Sequence, residues 1–284
     1  MYRAELLKLR TTRAAWVIAA VALGGMLLVQ AVSLVLPQLL ERLDAAGVTS
    51  DADLPPDVAG DLTAMLDVAQ PAFQRSALDL LAAGPGGTGS TGVTAICMLL
   101  LGVLAVTADF RHGGIVPTAL VRPSRLAILG AKAGAVATAA VVIGVGLAVL
   151  SALGLTVALA AGDAPLVLSA AEVLGVWGRG LAVLALFAWI GLGIGTLVRN
   201  QVAAVVVVVA AVLVEPIVQA LVMLLSDGTS NVASWMPQAL GSIASTGLGA
   251  STALGAAAAL AGLALWATAL LAGGAASLRS RDLV

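Results

Sequence analysis

Charge is what this sequence has least of. Asp, Glu, Lys and Arg supply 10% of its 284 residues, where a soluble domain of this size carries about 25%. A water-soluble core does not need 61% hydrophobic residues, so the solvent for most of the chain is lipid. There is one cysteine, Cys97, inside an apolar run, which excludes an intrachain disulfide. There is one histidine, His112, in a basic loop, so neither a buried histidine base nor a His/Cys zinc set is available. Two acids at membrane depth are missing as well; only Glu215 lies clearly inside a span, which argues against an intramembrane aspartyl site. Period-two alternation is also absent. In hydrocarbon every backbone group needs an internal partner, and apolar runs of about 20 residues built from Ala, Leu, Val and Gly therefore predict helices rather than a barrel.

What is present falls into six such runs, 14–36, 89–108, 129–161, 180–198, 202–225 and 251–278, in a single all-α transmembrane domain over 1–284. Residues 1–13 are amphipathic, with Tyr2, Leu6 and Leu9 on one helical face, and predict an interfacial helix ahead of the first span. Residues 37–87 are acidic and punctuated by Pro55, Pro56 and Pro71. Orientation follows from Lys and Arg alone. The N-terminus, the second-to-third loop, the fourth-to-fifth loop and the tail hold Arg3, Lys8, Arg10, Arg13, Arg111, Arg122, Arg125, Lys132, Arg199, Arg279 and Arg281, eleven of the fourteen. Both termini are expected in the cytoplasm and the acidic segment outside it.

The densest polar chemistry lies in Thr107–Arg125, where Asp109, Arg111, His112, Arg122, Ser124 and Arg125 surround Gly113-Gly114 and Pro117, with Lys132 following. Turn residues beside a helix end predict a short structured element, and an Arg fork suits a carboxylate on a partner. Gly84–Thr91 imitates a phosphate loop, but Ser90 stands where the lysine is required and no strand precedes it, so it reads as a flexible lead into the second span. Arg179 and Glu215 are the two charges near membrane depth. Counted from Arg199 they reach similar heights, about 30 and 24 Å, which allows three readings: they pair, Glu215 faces a path, or Glu215-Pro216 breaks its helix and caps freed N–H groups. Gly130/Gly134 and Gly191/Gly195 have the small-xxx-small spacing of close helix packing.

Taken in order, Glu5-Leu-Leu-Lys8-Leu-Arg10, Thr107-Ala-Asp109-Phe110-Arg111-His112-Gly-Gly-Ile115, Arg125 through Lys132, Gly193-Ile-Gly195-Thr-Leu-Val-Arg199-Asn200, Glu215-Pro216 and Trp235-Met-Pro237-Gln-Ala239 resemble the membrane subunit of an actinobacterial ABC-2-type exporter. The resemblance implies a cytoplasmic coupling helix between helices 2 and 3 that docks on a separate ATPase subunit. Asp109, Phe110, Arg111, His112, Ile115, Arg122 and Arg125 would serve that contact, and Glu5, Lys8 and Arg10 of the N-terminal elbow helix would support it. It implies a bacterial plasma-membrane permease, dimeric with an identical or paralogous copy, that exports an amphipathic, drug-like or lipid-like solute. No catalysis and no cofactor are expected in this chain, ATP and Mg belonging to the partner, and no nucleic acid is involved. An ion-coupled secondary transporter using Glu215, a non-transporting anchor or sensor, and a membrane-embedded transferase are the alternatives.

Overall fold

The computed structural model describes residues 1–45, 67–84, 92–111, 125–226, 232–247 and 255–280. His112, Ile115 and Arg122, most of the acidic segment and the end of the tail lie outside the described residues. The described chain is helical throughout. Its elements are α1 (Tyr2–Thr11), α2 (Arg13–Ala45), α3 (Pro71–Ala77), α4 (Val93–Arg111), α5 (Arg125–Ala161), α6 (Ala170–Val198), α7 (Gln201–Leu225), a 3-10 turn (Val232–Trp235), α8 (Pro237–Thr246) and α9 (Ala256–Ser280). Six helices (α2, α4, α5, α6, α7 and α9) are long and apolar enough to cross a membrane. They run up and down between two ends: a proximal end that carries α1, and a distal end that carries α3 and α8.

Local sequence explains where most of these helices begin and end. Glu5 in the first turn of α1 and Lys8 and Arg10 in its last turn suit the helix dipole. Thr12 then turns extended (φ −84°, ψ 123°), while its hydroxyl donates to the Lys8 carbonyl at 2.6 Å, so one residue makes the corner into α2. α6 opens ten residues before the expected start at Gly180. The reason is a capping box: the Ser169 hydroxyl accepts from the Glu172 N–H, and the Glu172 carboxylate accepts from the Ser169 N–H. Arg179 is therefore inside a helix and not at the edge of a loop. α6 ends at Arg199 in the left-handed region (φ 58°), and Asn200 immediately caps α7 by accepting from Ala203 N–H at 3.1 Å.

α4 and α6 form the centre, with Met98, Leu101, Leu184 and Phe187 fully buried between the elements. Their backbones approach so closely that a Cβ on Gly102 would lie 2.0 Å from the Ala188 carbonyl oxygen. One on Gly191 would lie 2.0 Å from that of Leu99. Gly191 and Gly195 thus do serve helix packing. In the other spaced pair Gly134 makes room for the Tyr2 ring of α1 at 3.4 Å, while nothing in this chain's described residues lies within 4 Å of a Cβ built on Gly130.

α7 is the most exposed span, and it continues through Pro216 without the interruption expected at Glu215-Pro216. Proline cannot donate to the carbonyl four residues back, which leaves Val212 O without its usual helical donor. The side chain of Gln238 supplies one instead, Nε2 donating to Val212 O at 3.0 Å and to Ala211 O at 3.4 Å. An amide on α8 thus replaces the missing donor from outside the helix.

Candidate functional site

The proximal end gathers residues far apart in sequence. Glu5 and Lys8 are three apart on α1 and share a face. The last turn of α4 brings Asp109, and the third turn of α5 brings Lys132. Lys132 is 3% exposed. Its ammonium donates to Glu5 Oε2 at 2.8 Å, to Ala105 O at 3.2 Å and to Asp109 Oδ2. Lys8 donates to Glu5 Oε1 at 3.2 Å and reaches Asp109 Oδ1 at 3.5 Å. Two carboxylates face two ammoniums, so the cluster is neutral. A buried ammonium is tolerable only with such compensation. Partial burial pulls the Lys8 pKa down, but Asp109 and Glu5 outweigh it and the result is raised. Below the cluster a cavity of about 300 Å³ opens between α1, α2, α4 and α5, with Thr11, Thr12 and Gln201 at its polar rim. The Tyr2 hydroxyl and Thr138 Oγ1, 2.7 Å apart, tie α1 to α5 a second time.

Phe110 and Arg199 meet at the same end. The guanidinium carbon lies 5.7 Å from the ring centroid, and Nη2 donates to Ser277 O at 2.6 Å, joining the ends of α4, α6 and α9. Asp109 and Phe110 are therefore fixed on two sides. Arg10 is exposed on α1, and its carbonyl accepts from the Trp16 indole N–H at 2.7 Å. Arg111 and Arg125 terminate α4 and α5, and their side chains lie outside the described atoms. The structure thus brings together Glu5, Lys8, Asp109 and, beside them, Phe110 with Arg199. Lys132, which sequence placed only after the loop, is the hub.

At the distal end Arg179 and Glu215 do not pair, which removes one of the three readings open for them. α8 is a ten-residue helix buried along Gln238–Ser245, and the two charges sit at its opposite ends. Glu215 Oε1 accepts from Gln238 N–H at 2.6 Å and Ala239 N–H at 3.4 Å, capping the N-terminus. Arg179 Nε donates to Ala244 O at 3.1 Å and Ser245 O at 3.4 Å near the C-terminus. Each charge thus complements the local end of the helix dipole. Glu215 does cap backbone N–H groups, but those of α8 and not of its own helix. Asp79, which follows α3, was missed as a structural residue because it sits in the acidic stretch. It is 5% exposed and accepts from the Ser245 hydroxyl and from Leu81 N–H. The apolar frame Leu78-Asp79-Leu80-Leu81 was the available signal. Burial pushes the Asp79 carboxyl up to about 6, with the Ser245 and Leu81 hydrogen bonds pulling against it.

No family model matches the chain, and no curated protein matches it.

Proposed function

We propose that this chain is the membrane subunit of an ABC-2-type exporter, driven by a separate ATPase subunit that grips the segment between α4 and α5. The observation that carries the reading is the proximal cluster: Lys132 joins the N-terminal helix to both helices that flank residues 112–124. A push on that segment would pass through Asp109 and Lys132 into α4, α5 and α1 together, and through Phe110 and Arg199 into α6 and α9. Charge distribution supports a cytoplasmic position for this end. In this reading α1 is the elbow helix, residues 112–124 hold the coupling element, and His112, Ile115 and Arg122 contribute to the contact. ATP and Mg bind the partner, two permease copies assemble, and the cargo is amphipathic.

Affinity purification in mild detergent tests this. A nucleotide-binding subunit is expected to accompany the tagged chain. Asp109→Asn with Lys132→Met is expected to leave that association in place while cutting cargo-stimulated ATP turnover about tenfold, the size of one lost charge-assisted contact. Absence of any ATPase in the purified material, or unchanged coupling in the double variant, contradicts the reading.

A further inference from the structure

A second cavity, about 370 Å³, lies between α6, α7, α8 and α9. Its wall is apolar, including Phe187, Ile194, Val212, Trp266 and Leu270, and it carries one acid, Glu215, and one amide, Gln238. Glu215 is committed on one carboxylate oxygen, whereas the Gln238 side-chain oxygen is sealed within the protein. All the hydrogen bonds to Glu215 fall on Oε1, from Gln238 N–H, Ala239 N–H and Gln219 Nε2 at 3.1 Å. Among the described residues Oε2 accepts none, and Glu215 has no ion pair. The Gln238 Nε2 group is spent on α7 carbonyls, and its Oε1 is buried without a hydrogen-bond partner. The nearest described structural role for a cation, that of Arg179, is filled at the far end of α8.

A carboxylate at membrane depth is expensive unless something answers its charge. The α8 N-terminus offsets about half an elementary charge, so the ionised form of Glu215 leaves a net negative field at the cavity that a cation would answer. The site therefore offers an acceptor and negative potential, no side-chain donor left free, and a hydrocarbon wall. Ligand cavities of roughly 300–1,000 Å³ with a few polar groups on an apolar lining are typical of small-molecule sites.

We propose that this cavity binds a lipophilic amine, whose apolar body packs on α6, α7 and α9 and whose N–H donates to Glu215 Oε2. An anionic amphiphile is excluded by the carboxylate, and a neutral one gains only the hydrogen bond. Binding is a property of this chain alone; that the ligand is also cargo rests on the exporter reading.

The test is calorimetric titration of the full chain in phosphatidylcholine nanodiscs, corrected with empty nanodiscs, using three probes of one shape: 2-(1-naphthyl)ethylamine, 2-(1-naphthyl)ethanol and 1-naphthylacetate. The expected order is amine, then alcohol, with no binding of the acid. Glu215→Gln keeps an acceptor for the α8 N–H groups and is expected to weaken the amine roughly tenfold while leaving the alcohol nearly unchanged. Ile194→Trp fills the cavity without touching a charge and is expected to remove both, with an unchanged unfolding midpoint. If Glu215→Gln does not fold, the probe order and Ile194→Trp still decide. Equal binding of all three probes marks a groove for acyl chains and overturns the proposal, as does amine binding that survives Ile194→Trp. Amine binding by a chain that recruits no ATPase keeps the site and discards the exporter.

Discussion

The two ends of the bundle solve the same electrostatic problem in different ways. At the proximal end four ionised side chains face one another, Glu5, Lys8, Asp109 and Lys132, and the helices they stand on are tied through those pairs. At the distal end Arg179 and Glu215 never meet; each is matched to one terminus of α8, so that a short helix acts as the counter-ion for both. The difference is mechanical. Ion pairs between helices transmit displacement, because moving one partner exposes the other. Charges on a helix dipole hold that helix in place and tie α6 and α7 to it. The proximal end ties α1, α4 and α5 to one another, and the distal end ties α6 and α7 to α8.

The largest expected effect breaks the proximal solution at its hub. Lys132→Met leaves buried Glu5 and half-buried Asp109 with only Lys8 between them and is expected to cost about 3–5 kcal/mol. Neutralising Glu5 and Asp109 in the same chain (Glu5→Gln, Asp109→Asn, Lys132→Met) should restore much of that loss, measured as unfolding free energy in detergent. A triple variant no better than the single one would mean Lys132 matters through packing rather than charge.

Next comes pH at the distal end. Asp79 ordinarily titrates at 3.8, and in the fold it is raised to about 6. The folded chain therefore holds a proton that the unfolded chain has already released. That stability is fully present below about pH 4, is lost as pH rises through 6, and totals about 3 kcal/mol. Asp79→Asn should flatten this part of the stability profile between pH 4 and 7.

A smaller effect separates the two modes of charge matching directly. Glu215→Leu is expected to cost about 1–2 kcal/mol as a lost cap, and Arg179→Met about 1 kcal/mol at the other terminus. The charges lie about 15 Å apart along α8, so the double variant should lose the sum to within about 0.5 kcal/mol. A Lys132 and Asp109 cycle, by contrast, should be strongly non-additive. The smallest effect concerns Arg199, whose left-handed backbone would suit glycine. Arg199→Ala loses the Phe110 contact and keeps the strain, whereas Arg199→Gly loses the contact and relieves it. Alanine should be the less stable by about 1 kcal/mol in thermal unfolding.

Much of this architecture was legible in the sequence, and what was not has a common cause. The six apolar helices follow from hydropathy, because a run of Val, Ala and Leu has one solution in lipid. The start of α6 was hidden because Glu172 and Arg179 lowered its apolarity, although Ser169-x-x-Glu172 announced it. α8 was hidden because PQALGSIAST is short and only moderately apolar, and a buried helix of that kind looks like a loop. Without α8, the readings left for Arg179 and Glu215 were a mutual pair, a path-facing carboxylate or a cap on N–H groups of α7 itself. The element between them was not inferred. Glu215-Pro216 looked like a break for the same reason, since the Gln238 amide that serves Val212 O lies on the missing helix. In the proximal cluster the resemblance named Glu5, Lys8 and Asp109, but tertiary contact made Lys132 its centre.

Side-specific labelling of the segment between α4 and α5 tests the exporter account most directly. Thr118→Cys, introduced with Cys97→Ala so that it is the one thiol, would be exposed to a membrane-impermeant maleimide in intact cells and in inverted vesicles. The account predicts labelling in inverted vesicles alone, and protection when the nucleotide-binding subunit is bound. Labelling from the outside of intact cells would contradict it.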